Sequence, residues 1–238
     1  IAGTIDVDRY RAQPWNRSLT EVLTEDVPRL RILVVEGNPA VGPAADADTL
    51  AALRTSAEAL GALGHDVQVG RLPKASFSLD FMSLVAAGVA DEAATLDRPD
   101  LIEARNRAGI RLTAMLASRA DAAERAAVGP IAAKVNAVFD TVDLVLMPTT
   151  PTAAQPIGAL DGLGFARASL RATGVASFTS IWNVTGNPAA AIPAGFTTDG
   201  LPLSVQLVGR PHDEPTVIRV SAQLERERPW AQRRPPIS

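Results

Sequence analysis

Residues that could act as a nucleophile or a base are few in this chain and are not grouped. The chain has 238 residues with 2 histidines and no cysteine, and its lysines are Lys74 and Lys134. A hydroxyl nucleophile needs an adjacent base, and a developing oxyanion needs preorganised hydrogen-bond donors. The serines are scattered, and none is grouped with either lysine. The residues alone therefore single out no catalytic group within the chain.

The two histidines are better explained by local structure than by chemistry. His212 precedes Asp213, so the pair could supply two members of a Ser-His-Asp system, but no serine is marked as the nucleophile. Asp213 stands before Glu214-Pro215, which is typical of a helix start and favours a capping role. His65 follows Gly64 at a predicted helix-to-strand turn. With so few histidines and no thiolate, no metal site is predicted.

Thr149 and Thr150 are the first candidates for contact with a substrate. They follow a buried apolar run at residues 143–147 and stand in the stiff segment Pro148-Thr-Thr-Pro-Thr152. Open α/β sheets bind ligands at the carboxyl ends of their strands. The two threonines therefore either border a substrate cleft or form a rigid strand exit, and the sequence leaves both interpretations open.

Ile181, Trp182 and Asn183 are the second group of candidates. They precede Thr185-Gly-Asn-Pro188, where glycine permits a tight turn. An aromatic ring at such a position can form the wall of an apolar pocket. It can equally pack in the core, and this alternative also stays open.

The elements that must position these residues begin with a β-α-β unit at residues 31–70. Its first strand, at 31–36, is β-branched and apolar and ends at a Gly-Asn-Pro turn. Apolar residues at helical spacing follow, and residues 65–70 alternate like a half-buried strand. An α/β fold is therefore predicted. The remaining predicted elements are helices over 79–94, 102–117 and 121–139, a strand at 143–147, a mobile Gly/Ala-rich surface excursion at 155–175, a helix at 178–184, strands at 189–194 and 203–208, and a helix over 213–226.

Composition excludes several classes of function. The net charge is −3 and the basic residues are scattered along the chain, so no footprint for nucleic acid is present. No apolar run approaches the roughly 18 to 20 residues that a membrane helix needs. A chain without cysteine forms no disulfides and so does not need an oxidising compartment. We therefore expect a cytoplasmic protein that binds neither nucleic acid nor a membrane.

Three segments of the chain carry distinctive motifs. The first contains a predicted strand and a Pro-Thr-x-Pro loop, the second a Trp-Asn pair before Gly-Asn-Pro, and the third the run Gly-Leu-Pro-Leu-Ser-Val-Gln-Leu-Val-Gly-Arg. They span residues 139–151, 178–193 and 200–210. In this order and spacing, the three segments resemble the C-terminal half of amidase-signature hydrolases. Gln206 and Arg210 of the third segment are expected to satisfy backbone groups at the end of the sheet.

The resemblance implies a fold and an activity. The fold is one α/β domain with a mixed twisted sheet flanked by helices on both faces. The activity is hydrolysis of carbon–nitrogen bonds in linear amides, by a serine nucleophile, a second serine in a cis peptide and a lysine base. It implies a small-molecule amide substrate and neither a metal nor an organic cofactor. It also implies that Ile181 and Trp182 shape the acyl side of the pocket.

The chain begins with Ile1 rather than methionine, and it lacks the Gly/Ser-rich segment that the family uses. We therefore expect a piece of a longer protein whose serines and lysine lie upstream, with the N-terminal half of the same protein as its partner. The expected division is a lead-in segment at 1–28, the C-terminal portion of an amidase domain at 29–230 and a tail at 231–238. A homodimer is a further expectation.

Two other interpretations stand beside an enzyme. One is a non-catalytic fragment or binding module that pairs an exposed sheet edge with another polypeptide. The other is an independent doubly wound binding domain. That second alternative is disfavoured because the turn after the first strand, Gly37-Asn-Pro-Ala-Val-Gly42, does not match a dinucleotide-binding fingerprint.

Overall fold

The fold is built on a five-stranded mixed sheet. The structure is a computed structural model that describes residues 18–40, 42–73, 88–117 and 122–233. The strands are β1 (Arg31–Val34), β2 (Asp66–Val69), β3 (Leu144–Pro148), β4 (Ala189–Phe196) and β5 (Pro202–Val208). Their order in the sheet is β2-β1-β3-β5-β4. The first three are parallel, and β5 runs antiparallel to both of its neighbours.

Helices lie on both faces of this sheet, so the predicted fold class is confirmed. The helices are α1 (Leu19–Val22), α2 (Ala47–Ala62), α3 (Ala104–Ala117), α4 (Ala122–Asn136), α5 (Phe165–Val175), α6 (Ser180–Thr185) and α7 (Glu214–Glu227). Short 3-10 turns cover Pro99–Leu101 and Ala137–Asp140, and residues 88–94 are helical. The first part of the helix predicted over 79–94 lies outside the described residues.

Side chains alternate in direction along the strands and so divide the hydrophobic core into two layers, one on each face of the sheet. Ile32, Leu146 and Leu207 point to one face, where α2 and α7 cover them. Met147 and Val208 point to the other face, beneath α4 and α6. Neighbouring residues of a strand point to opposite faces, so a central strand with helices on both sides is apolar throughout. All five residues of β3 are buried for this reason.

The β-α-β unit agrees with the prediction from the sequence. Asp46 caps α2 by accepting a hydrogen bond from the backbone N–H of Thr49, and Leu53 and Leu60 bury the inner face of the helix. The chain then turns at Gly64, whose φ of 95° is a left-handed conformation that favours glycine. β2 pairs with β1 in parallel directly after this turn.

The prediction of a mobile surface excursion over residues 155–175 was wrong for its second half. Residues 165–175 form the regular helix α5. It packs on α3 where the ring of Phe165 lies against Gly109, a place where a side chain would collide with the ring. The high content of small residues, which suggested a loop, instead allows the close approach of two helices.

The two ends of the described chain are tied to this core. In α1, Ser18 and Glu21 form a capping box, and Glu25 after the helix pairs with Arg219 of α7 at 3.2 Å. At the other end, the guanidinium of Arg233 lies 5.4 Å from the centre of the Phe196 ring. The described parts of the predicted lead-in segment and tail therefore both contact the sheet layer or its helices.

Candidate functional site at the carboxyl edge of the sheet

Strand direction defines two ends of the sheet. We call the end where β1, β2 and β3 finish the carboxyl edge, and the end where they begin the amino edge. β5 runs the other way, because Pro148 at the end of β3 pairs with Val205 near the start of β5. β4 finishes at the carboxyl edge, where Phe196 pairs with Pro202. The ends of β1, β2, β3 and β4 and the start of β5 therefore lie at the carboxyl edge.

Thr149 and Thr150 lie at this edge, as their position after β3 predicted. The backbone N–H of Thr149 donates to the carbonyl of Ser204 at 3.4 Å. Its Oγ1 atom is buried and has no hydrogen-bond partner within the described part of the chain. The hydroxyl of Thr150 donates to the carbonyl of Thr152 at 2.8 Å. Thr149 is therefore the member of the pair with hydrogen-bonding capacity to spare.

Ile181, Trp182 and Asn183 lie on α6, and they differ in their surroundings. Ile181 is completely buried and Trp182 is only 2% exposed. The indole N–H of Trp182 donates to the sulfur of Met147 at 3.3 Å, and its ring is tilted against Phe139 with centroids 6.5 Å apart. Asn183 is exposed. The first two side chains therefore pack in the core in this structure, while the third faces solvent.

Gln206 joins the β3 exit to the segment before α6. Its side chain is buried on β5, and its amide nitrogen donates to the carbonyl of Pro148 at 2.9 Å and of Phe178 at 3.0 Å. The expectation that Gln206 satisfies backbone groups is confirmed. Arg210 does the same at the amino edge, where it donates to the carbonyl of Val142 at 3.3 Å.

Asn38 and Ser177 form a contact that the sequence did not indicate. The amide nitrogen of Asn38 donates to the Ser177 hydroxyl at 2.7 Å and to the carbonyl of Pro43 at 2.9 Å. The two residues are 139 positions apart in the chain. The Gly-Asn-Pro sequence after β1 marked a turn, but nothing in it identified the partner of the asparagine.

A cavity of about 590 Å³ opens at the carboxyl edge. Its polar lining includes Asp46, Asp48, Thr152, Arg171, Thr197 and Asp199. Most of these groups already have partners in the chain. Asp46 caps α2, and the Asp48 carboxylate accepts from the backbone N–H and hydroxyl of Thr198 at 3.2 and 3.3 Å.

The amino edge is held by charged and neutral contacts within the chain. Asp143, just before β3, accepts from the backbone N–H of Arg31 at 2.8 Å and from its guanidinium at 2.9 and 3.2 Å, and Arg210 lies 3.6 Å away. The hydrogen bond from Arg31 lowers the pKa of Asp143, and burial opposes this effect. The same contact raises the pKa of Arg31.

His65 also lies at the amino edge and has a structural role. It is buried, its Nδ1 accepts from the backbone N–H of Leu30 at 3.2 Å, and its Nε2 lies 3.0 Å from Oε1 of Gln223 on α7. Nε2 must therefore carry the proton that is donated to Gln223. His212 is exposed, and Asp213 caps α7 as predicted.

The described residues show no group that resembles a nucleophile with its base. Lys134 is exposed on α4, and Lys74 lies outside the described residues. The hydroxyls of Ser177 and Ser221 donate to main-chain carbonyls at 2.8 and 2.7 Å. Within the described ranges there is also no cluster of side chains that could hold a metal ion, and no helix long and apolar enough to cross a membrane.

Comparisons with known sequences identify relatives of the chain. Residues 1–218 match the family model described as Amidase. The Mycobacterium tuberculosis (strain ATCC 25618 / H37Rv) protein described as "Putative amidase AmiB2" is 41% identical over 191 residues, which cover 79% of this chain and 41% of that protein. The 6-aminohexanoate-cyclic-dimer hydrolase of Pseudomonas sp. (strain NK87) is 31% identical over 266 residues, which cover 100% of this chain and 53% of the hydrolase.

Solved structures give the same relationship. The structure of 6-aminohexanoate cyclic dimer hydrolase matches with a TM-score of 0.86 at 30% identity, over 98% of this chain and 52% of the hydrolase chain. A bacterial aryl acylamidase of the amidase signature family matches with a TM-score of 0.68 at 21% identity, which shows a common fold. The chain spans about half the length of the relatives that it matches.

Proposed function

The chain belongs to the amidase-signature family, and on this premise we propose that it is part of an enzyme that hydrolyses carbon–nitrogen bonds in amides. The observation that carries the proposal is the match of nearly the whole chain to about half of a cyclic-dimer hydrolase, with a TM-score of 0.86. In this proposal residues 29–230 are the C-terminal portion of a single amidase domain. The carboxyl edge of the sheet forms one wall of the substrate cleft.

The reacting groups are proposed to come from a segment that is not in this chain. Hydrolysis by the family mechanism needs a serine, a second serine in a cis peptide and a lysine that acts as base. Lys134 is exposed on α4, and the hydroxyls of Ser177, before α6, and Ser221, on α7, donate to main-chain carbonyls. These positions favour a catalytic segment in the N-terminal half of the same protein, without a metal or an organic cofactor.

Thr149, Thr150 and Asn183 are proposed to form the part of the wall that touches the amide substrate. Thr149 is half-buried, and its hydroxyl has hydrogen-bonding capacity that no described residue of this chain uses. Ile181 and Trp182 are proposed to act on the acyl side from behind this surface. Because they are buried in the chain itself, they would set the shape of the wall by packing.

A non-catalytic binding module remains the second candidate, and one observation favours it. The outer strands of the described sheet are β2 and β4. Val69 on β2 is 72% exposed, and β4 (Ala189–Phe196) contains no charged residue. Exposed strand edges of this kind pair with further strands. The partner is proposed to be the N-terminal half of the same protein or, in a homodimer, a second copy of this chain.

The direct test compares the chain with the longer protein on a panel of linear and cyclic amides, including the cyclic dimer of 6-aminohexanoate. We expect turnover from the longer protein and none from the chain by itself. Turnover by the purified chain would show that the reacting groups lie within it. Binding of a separately produced N-terminal half without any turnover would support the binding module instead.

A further inference from the structure

We infer that Gln206 is a positioning residue that holds the exit of β3 and the start of α6 at a fixed separation. The inference rests on the proposed function, because both of these segments belong to the proposed substrate wall. Gln206 lies in the middle of β5, between Met147 of β3 and Ala191 of β4. It is buried on the same layer of the core as Phe178 and Trp182.

The two hydrogen bonds of Gln206 use one amide group to join two segments. The NH₂ group has two hydrogens, and they go to the carbonyls of Pro148 and Phe178 at 2.9 and 3.0 Å. Pro148 and Phe178 are themselves buried. Without this donor, two buried carbonyls would have to find other partners or open to water. An apolar side chain of similar length would suit the surrounding core. We therefore attribute the presence of an amide at this position to its hydrogen bonds with these two carbonyls.

A second side chain holds the same segment from the opposite direction. Asn38, in the loop after β1, donates to Ser177, the residue directly before Phe178. This loop approaches closely, because a Cβ atom at Gly42 would lie 2.6 Å from the Cβ of Ser177. Ser177 and Phe178 are therefore tied to side chains from β5 and from the β1 loop.

These ties matter because α6 is short. It has 6 residues and ends at Gly186, whose φ of 70° closes the helix. Its first residue, Ser180, comes two positions after Phe178. The orientation of such a helix depends on tertiary contacts, here the burial of Ile181 and Trp182 together with the ties at its start, since a few internal hydrogen bonds do not fix it. Gln206 thereby contributes to the position of Asn183 relative to Thr149. Thr149 directly follows Pro148, whose carbonyl is the other one that Gln206 binds.

Loss of the Gln206 amide should affect catalysis through geometry. A small displacement of a substrate-positioning wall reduces the fraction of bound substrate that is aligned for attack. In the intact protein, Gln206→Met keeps the length of the side chain and removes both hydrogen bonds. We expect kcat to fall on the order of tenfold with a smaller change in KM.

Gln223→Met is the matched control. It removes another glutamine hydrogen bond, the one with His65 at the amino edge. Both variants should lower the melting temperature, and only Gln206→Met should lower kcat. Equal loss of kcat in both variants, or unchanged kcat in a destabilised Gln206→Met protein, would overturn the inference.

Hydrogen exchange separates this inference from the proposed function. In the intact protein, backbone amides of residues 149–152 and 178–186 should exchange faster in Gln206→Met than in Gln223→Met. If the intact parent protein cleaves no amide but this difference is found, the proposed function fails and the positioning role of Gln206 stands. If exchange in both segments is unchanged, the positioning role fails even if the parent protein is an active amidase.

Discussion

The two edges of the sheet differ in how completely the chain satisfies its own polar groups. At the amino edge, Asp143 is bound by Arg31 and Arg210, and both ring nitrogens of His65 have partners. At the carboxyl edge, Thr149 has a buried hydroxyl without a partner among the described residues, and a cavity of about 590 Å³ at the same edge is lined by Thr152 and Asp46 among others.

Buried polar groups in a folded protein are normally hydrogen-bonded, so the exceptions call for an explanation. Two of the three exceptions in the described part of the chain are the hydroxyls of Thr149 and of Thr49, in the first turn of α2. The backbone bond from Asp46 to Pro151 places that turn at the carboxyl edge too. The third exception is Nε of Arg219 on α7. At the amino edge the chain itself supplies partners for the polar groups of Asp143 and His65, while at the carboxyl edge two buried hydroxyls keep unused hydrogen-bonding capacity.

The largest effect is expected for Trp182→Ala. This substitution tests whether Trp182 belongs to the hydrophobic core. Removing a buried tryptophan costs about 3–5 kcal/mol of unfolding free energy, and Trp182 is enclosed by Met147 and Phe139. Urea unfolding of the chain measures the loss. Asn183→Ala, at the exposed neighbour, is the control and should change stability by less than about 0.5 kcal/mol. A small loss for Trp182→Ala with an altered amide preference would assign the ring to the substrate pocket instead.

His65→Leu tests the closure of the amino edge. The change leaves the Leu30 N–H and the Gln223 amide without their partners. We expect a loss of about 2–3 kcal/mol, measured by the same unfolding experiment. His212→Asn is the control, because His212 is exposed with a φ of 66° that asparagine tolerates. If His65→Leu lowers the free energy of unfolding no more than this control does, the contacts of His65 do not stabilise the amino edge.

Asp143→Asn tests the charged part of the same edge through pH. The pKa of Asp143 is lowered in the folded state by its hydrogen bond with Arg31. The stabilisation is therefore present above the carboxyl pKa of the unfolded chain, about 3.9, and is lost as the pH falls through the lower folded value. Because the Asp143 side chain keeps 26% of its surface exposed and solvent weakens its ion pairs, we expect a cost of only about 1 kcal/mol at neutral pH.

The unfolding free energies of the parent and of Asp143→Asn should converge on acidification below about pH 4. Asp140→Asn, at an exposed carboxylate in the adjacent 3-10 turn, serves as the comparison variant. If the difference in unfolding free energy between the parent and Asp143→Asn is the same in acid and at neutral pH, the charge of Asp143 does not stabilise the amino edge.

Thr149→Val should have the smallest effect on stability. Unlike the preceding substitutions, it should increase the free energy of unfolding. Removing a buried hydroxyl that has no partner should stabilise the chain by up to about 1 kcal/mol. Thr150→Val should instead cost about 1 kcal/mol, because it removes the bond to the carbonyl of Thr152. In the longer protein, Thr149→Val should weaken amide hydrolysis. A destabilised Thr149→Val chain would show that the hydroxyl already has a structural partner, and the contrast between the edges would weaken.

Most of the sheet could be predicted because its strands carry strong local signals. The strand predicted at 143–147 is observed as Leu144–Pro148, and that at 203–208 as Pro202–Val208. Burial on both faces makes β3 continuously apolar, which the sequence displays directly. Helix α5 was missed because alanine and glycine serve both in loops and in tight helix contacts. Its signal was the spacing of Phe165, Ala168 and Val175, which lie on one face of a helix.

The candidate site could be predicted only in part. Thr149 was identified because the end of a buried strand is visible in the sequence. The choice between pocket and core for Trp182 depended on Met147, 35 positions away in the chain. The pairing of Asn38 with Ser177 depends in the same way on tertiary structure, so neither could be read from local patterns.

The uncharged outer strand β4 has a consequence for handling the protein. Ala189–Phe196 offers a row of backbone donors and acceptors, with no lysine or aspartate to discourage a second molecule from adding to it. Pro193 lacks one of those donors, and the irregularity between Pro193 and Gly195 interrupts the ladder. Self-association of the chain at high concentration should therefore begin along β4 and should be countered by a lysine at the exposed Ala191 position.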